Sequence, residues 1–184
     1  MADQNTNNYV TDGKIGVDLT ATYASTSAGS TSLFPATPNE NVSSNNNGRF
    51  IFAKAASEVA QFDCVIFSTY ENSASTTAPT EQAAPISTTN ANALGNGGAT
   101  IGFAQSSVTS GYYGWFMLNG TPRVSLLIGC QPKAMLYTTS TPGKLDDTTV
   151  SGCLIGGLVA NTSATSASAV FCMANNAHIQ ASNG

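Results

Sequence analysis

Few side chains in this 184-residue chain have types and spacings that could do chemistry. Its single histidine, His178, is the imidazole that any Ser-His-Asp or Cys-His machine would have to use. It stands near the C-terminal end beside Asn175-Asn176, without a neighbouring acid, so a solvated surface histidine is expected. Asp146-Asp147 is the one adjacent carboxylate pair and could serve as an acid/base couple or a weak Ca²⁺ ligand. It follows a Pro-Gly turn, however, where exposed carboxylates are common. The four cysteines, Cys64, Cys130, Cys153 and Cys172, lack the close pairing that zinc requires. Apolar neighbours such as Val65-Ile66-Phe67, Leu154-Ile155 and Val170-Phe171 mark them as buried free thiols, with disulfides the lesser alternative. Gly95-Asn96-Gly97-Gly98 lacks the Lys-Ser/Thr of a phosphate loop. These residues make no coherent active site, and the chain is expected to have no enzymatic activity, no catalytic residue, no cofactor and no metal.

Composition narrows the class further. Charged residues make up 9% of the chain, against roughly a quarter in average soluble proteins, and Ser, Thr, Asn, Gln and Gly take their place. Such usage correlates with extracellular and viral structural β-proteins. The net charge is −4, and the basic residues Lys14, Arg49, Lys54, Arg123, Lys133 and Lys144 form no stripe, which argues against a nucleic-acid partner. No apolar run is long enough to span a bilayer, so no membrane partner is expected. The N-terminus has neither a basic start nor an apolar segment, so synthesis in a cytoplasm is the expectation.

The elements that must position any site read as strands. Asn119-Gly120 lies between two apolar runs and predicts a two-residue type I′ hairpin, with Trp115 facing Val124 and Phe116 facing Arg123. In that register Tyr113, Trp115, Met117, Val124, Leu126 and Ile128 share the core face, while Gly114, Phe116, Arg123 and Ser125 lie on the other. Further strands are predicted at 50–53, 64–67, 85–88, 100–105, 134–138, 154–160 and 169–173, with a polar loop over 72–82. Residues 57–62 are open between a helical turn and a loop. Thr141-Pro142-Gly143-Lys144 predicts a type II turn. Glycines inside the strands at Gly102 and Gly156-Gly157 point to sharply bent strands closing a small barrel, and the two segments echo one another weakly. The fold class is therefore all-β: a small antiparallel β-barrel or sandwich over 49–184. Residues 1–48, with Ser/Thr and Asn runs around Leu33-Phe34-Pro35, read as an extended N-terminal arm that orders where it lies on something else. A long irregular loop of the same domain is the alternative.

The segments from Arg49 onward carry a resemblance through their order. They are Phe52-Ala53-Lys54-Ala55-Ala56, Phe62-Asp63-Cys64-Val65-Ile66, and Thr100-Ile101-Gly102-Phe103-Ala104-Gln105. Tyr113-Gly114-Trp115-Phe116 with Asn119-Gly120 follows, then Leu136-Tyr137-Thr138-Thr139-Ser140-Thr141-Pro142-Gly143-Lys144-Leu145-Asp146-Asp147, and last Ile155-Gly156-Gly157-Leu158-Val159. Over about the last three-quarters of the chain this resembles the head-decoration (cement) proteins of tailed bacteriophages, of the marine and cyanobacterial phage type. The resemblance implies a compact β-barrel-like domain, the outer capsid surface of a virion as location, the major capsid protein as partner, and no catalytic residues. The N-terminal part is longer and richer in Ser and Asn than that family's, so its role is not inherited.

A homotrimer is the expected assembly, because decoration sites cluster at three-fold points and a closed ring buries the same patch on each protomer. Phe34 in the arm, and Phe116 with Leu118 on the outer hairpin face, are the candidate capsid or protomer contacts, since the predicted core leaves them no place. The alternative function is a glycan- or receptor-binding module of a tail fibre or adhesin, with Tyr112-Tyr113 beside Trp115 as a stacking platform.

Overall fold

The computed structural model describes residues 8–11, 14–24, 41–43, 48–70, 80–93, 99–148, 152–165 and 169–180. Within them lie thirteen strands and one short helix. The strands are β1 (Asn8–Thr11), β2 (Lys14–Asp18), β3 (Asn41–Ser43), β4 (Arg49–Ala55), β5 (Cys64–Tyr70), β6 (Thr80–Pro85) and β7 (Ile101–Ala104). They continue with β8 (Tyr113–Asn119), β9 (Arg123–Ser125), β10 (Leu136–Thr138), β11 (Leu145–Asp146), β12 (Leu154–Ala160) and β13 (Ala169–Ile179); the helix is α1 (Thr88–Ala93). The all-β class expected from the sequence is what the chain adopts.

Five strands, in the order β4-β6-β5-β7-β8, close into a barrel through the antiparallel β8–β4 pairing, and β3 is added to β4. One barrel pair, β4 with β6, is parallel; the others are antiparallel. Alternation along these strands sorts side chains between two cores. Ile51, Ala53, Ala55, Val65, Phe67, Ala83, Ala104, Phe116 and Leu118 fill the inner one together with Val59 and Val108. A barrel of so few strands is narrow, which explains the small residues inside it. Gly102 belongs to the same economy of space, since a Cβ there would lie 2.7 Å from the Phe67 ring.

The intervening residues Phe50, Phe52, Cys64, Ile66, Ile101, Phe103, Trp115 and Met117 point the other way, into the main core. There they meet a second sheet of order β11-β10-β12-β13-β9, which contributes Val124, Leu136, Leu145, Ile155, Leu158, Val170, Cys172 and Ile179. An isolated bridge, Leu126 to Leu145, nearly closes this sheet as well. Phe52 gathers the aromatic side of this core, stacking on Tyr113 at 5.7 Å and tilting against Trp115 at 5.1 Å.

Several sequence expectations are corrected. The Asn119-Gly120 hairpin does not form: β8 pairs with β7 and β4, and β9 pairs with β13. Barrel closure occupies both edges of β8, so no edge remains for β9. Gly120, at φ +113°, instead bridges to Ala174 and passes the chain to the second sheet. The predicted core face holds for Trp115, Met117, Val124 and Leu126, which share the main core; Ile128 is exposed instead. Phe116 and Leu118 are not on an outer face, because β8 is buried on both sides and these two line the barrel interior.

The predicted strand at 85–88 is displaced: β6 runs from Thr80 to Pro85, overlapping the end of the predicted 72–82 loop, and α1 follows. Ser87 and Asn90 cap that helix reciprocally, the Asn90 N–H donating to Ser87 Oγ and the Ser87 N–H to Asn90 Oδ1 at 2.7 Å. Described residues of the 1–48 segment pack against the 49–184 domain. Val17 and Leu19 are buried in the main core, Tyr23 bridges Tyr113, and Val42 of β3 pairs opposite Phe50. The type II turn forms as read, with Gly143 at φ +78° and the Lys144 N–H donating to Thr141 O at 3.2 Å.

Candidate binding surface

The residues singled out for chemistry occupy separate places. His178 lies on β13, half-buried opposite Gly156, with Nδ1 2.8 Å from the Asn176 carbonyl oxygen. It lines a cleft between barrel and second sheet with Arg49, Thr100, Asn119 and Asn176, and no carboxylate is in that lining. Asn119 and Asn176 spend their amides on each other: the Asn176 N–H donates to Asn119 Oδ1 at 3.0 Å, and Asn119 Nδ2 donates to Asn176 Oδ1 at 3.4 Å. The cleft therefore lies at a joint between the two halves of the fold.

The carboxylates of Asp146 and Asp147 and the Cys130 thiol place their ligand atoms within 4.8 Å of one another, a grouping that sequence spacing did not show. Burial, then the carboxylates of Asp147 and Asp146, push the thiol up to about 11. Each carboxylate also holds backbone: Asp147 Oδ2 accepts the Gln131 N–H at 2.8 Å, and Asp146 Oδ1 accepts the Asp147 N–H at 2.9 Å. These bonds account for the cluster as a turn support.

All four cysteines are buried and free. Burial raises Cys64 well above the ordinary thiol value and Cys172 to about 12, so both are held as neutral thiols that pack like small hydrophobes. Among the described residues Asp63 is the buried acid. It accepts the Ala60 N–H at 2.9 Å and sits where a Cβ on Gly143 would be, and desolvation raises its pKa against the opposing pull of Ala60 and Lys144.

Of the candidate aromatics, Tyr112 is exposed, Tyr113 is half-buried on Phe52, and Trp115 is buried. They do not form one stacking platform. Of the candidate contacts, Phe116 and Leu118 are inside the barrel, and Phe34 lies outside the described residues.

What sequence reading missed is the outer face of the second sheet. Met135, Val159, Phe171 and Met173 are exposed there by 64%, 41%, 55% and 61%. Val159 and Met173 are direct cross-strand partners, and Phe171 is two residues along β13 on the same face. Met135 and Val159 line one shallow groove with Lys133, Gly157 and Gln180. Monomeric proteins scatter exposed apolar side chains, and a contiguous group marks an interaction surface. The alternating exposed and buried residues of β13 were the available signal: Phe171 and Met173 fall on the opposite face from Val170, Cys172 and Ala174. No protein-family model, curated protein or solved structure matches this chain.

Proposed function

We propose that this chain is a structural virion protein that binds the outer surface of an icosahedral phage capsid and bridges neighbouring capsid subunits. The observation that carries the reading is the apolar face on a rigid two-core β-scaffold, joined to the ordered resemblance of segments from Phe52 to Val159. A protein that works by contact needs an interaction surface held on elements that do not yield. Here strands buried on both faces supply the rigidity, and a sheet buried on one face supplies the surface. The partner in this reading is the major capsid protein, and the working unit is a homotrimer matching a three-fold or quasi-three-fold point. The mechanism is mechanical: many modest contacts across subunit boundaries resist pressure from the packaged genome.

The test compares phage heads with and without the protein. Its copy number per particle, by quantitative mass spectrometry, should be on the order of hundreds, as symmetry-matched coating requires. Heads lacking it should rupture at a lower temperature. A handful of copies per particle, with unchanged heat tolerance, would overturn the reading in favour of a tail-fibre or adhesin module.

A further inference from the structure

The apolar stripe of the second sheet ends on an arginine whose position is set in advance. Arg123 of β9 lies opposite Phe171 of β13. Its guanidinium sits 4.7 Å from the Phe62 ring centroid and 5.6 Å from that of Phe171. The Gln105 amide clamps the Arg123 backbone from both sides, accepting its N–H at 3.1 Å and donating to its carbonyl at 3.1 Å. One guanidinium nitrogen donates to Ala169 O at 3.1 Å. Phe62 itself stands at φ +70°, a left-handed conformation that an aromatic residue adopts only when its surroundings impose it. The Phe62 N–H donates to Ala104 O and its carbonyl accepts the Ser125 N–H, both at 2.8 Å, and these bonds impose it.

Among the described residues no carboxylate pairs with Arg123. A guanidinium carries five N–H donors in a planar fork that matches a carboxylate, and most of that fork is unspent here. Arginine, aromatic residues and methionine are the types enriched where protein interfaces gain most of their energy.

We propose that this face, Val159, Met173 and Phe171 with Arg123 at its end, docks a protein surface presenting a carboxylate beside apolar side chains. The inference rests on the capsid reading, in which that surface belongs to the shell. Charge complementarity selects the occupant. Lys133 at the far end of the stripe makes both ends cationic, so a second copy related by a two-fold axis would set cation against cation. An acidic partner satisfies both ends.

The test is co-sedimentation of the full chain with phage heads assembled without it, at two salt concentrations. Phe171→Ser combined with Met173→Ser, and separately Arg123→Glu, should each weaken binding by roughly tenfold or more, while the thermal melt stays that of the parent. The Arg123→Glu loss should be larger at low salt. Val159→Asn serves as an independent stripe variant if the double substitution melts early. Variants that bind like the parent would overturn the face assignment and leave the capsid reading standing. A parent chain that does not bind heads would overturn that reading and this inference together. Sedimentation equilibrium showing that the stripe variants turn an oligomer into monomers would assign the face to a second copy and overturn the acidic partner.

Discussion

Phe116→Ala separates a barrel interior from a contact surface more sharply than any other single change. The ring has no solvent exposure and meets Phe67 edge-on at 5.8 Å. Full burial of a Phe is worth up to about 3 kcal/mol, of which the alanine methyl retains about 0.8, leaving ~2 kcal/mol of lost transfer energy. The side chain removed is on the order of 100 Å³; if half that space stays unfilled, at ~24 cal/mol per Å³ it adds about 1.2 kcal/mol. Losing the edge-to-face partner adds about 0.5–1 kcal/mol. The expected loss is therefore about 4 kcal/mol, within the range usual for deleting a core Phe. Urea unfolding followed by Trp115 fluorescence measures it. With a slope of about 2 kcal/mol per molar, the midpoint should fall by roughly 2 M. A loss under about 0.5 kcal/mol is what an exposed ring gives, and it would refute the two-sided burial of β8.

Four further outcomes are expected. Gly102→Ala should destabilise by about 1–3 kcal/mol through overpacking against Phe67, and Phe67→Leu in the same chain should relieve part of that cost, as a double-mutant cycle would show. Removing residues 1–24 should cost about 3–5 kcal/mol, because it strips Val17 and Leu19 from the main core; an unchanged urea midpoint would favour a detachable arm. A thiol reagent at mildly alkaline pH should find almost no reactive cysteine in the native protein and all four after unfolding, since the four are buried and Cys64, Cys130 and Cys172 are pushed well up. Asp63 has a raised folded pKa, so the native state holds its proton to higher pH than the unfolded chain does. Its contribution to stability therefore grows as pH falls through the folded value and stops changing below the unfolded one. Melts of the parent and of Asp63→Asn across the acid range should show the parent gaining on the variant as pH drops, and a parent that loses ground would refute the assignment.

The sequence was most legible where the information is local. Alternation in β8 placed Trp115 and Met117 on one face and Phe116 and Leu118 on the other, and the Pro142-Gly143 turn formed where its residue types require. Glycine inside β7 signalled a tight barrel because only a missing side chain leaves room for Phe67. Alternation names faces, however, and is silent about which face is empty, so Phe116 and Leu118 were given to solvent when a second core awaited them. Asn-Gly is a local preference as well. It was overridden because β4, more than sixty residues earlier in the chain, takes the β8 edge that a hairpin would need. The short polar strand β3 lacks the apolar density that marks a strand, and it forms because β4 offers it an edge. The apolar stripe was the least legible feature. Met135 precedes β10 while Val159 and Phe171 lie on β12 and β13, and the sheet order that brings them together depends on pairings no local window contains.

Fully packed strands and a one-sided sheet occupy different parts of this fold, and the reason is topological. A closed strand that also flanks a second core has both faces committed, so a change at most positions of β4, β7 or β8 is felt in packing. The second sheet buries one face against that core and leaves alternate positions of β12 and β13 without internal work. Those positions can carry Val159, Phe171 and Met173 at little risk to the fold, since their neighbours Leu158, Val170 and Cys172 hold the sheet from beneath. Arg123 sits where the two regimes meet. Its backbone is tied to Gln105, just past the end of the barrel strand β7, while its guanidinium lies across Phe171 of the outer face. The stripe is thus joined to the end of the barrel through β9 and the Gln105 clamp. That continuity is what a protein needs if its task is to hold neighbouring subunits together.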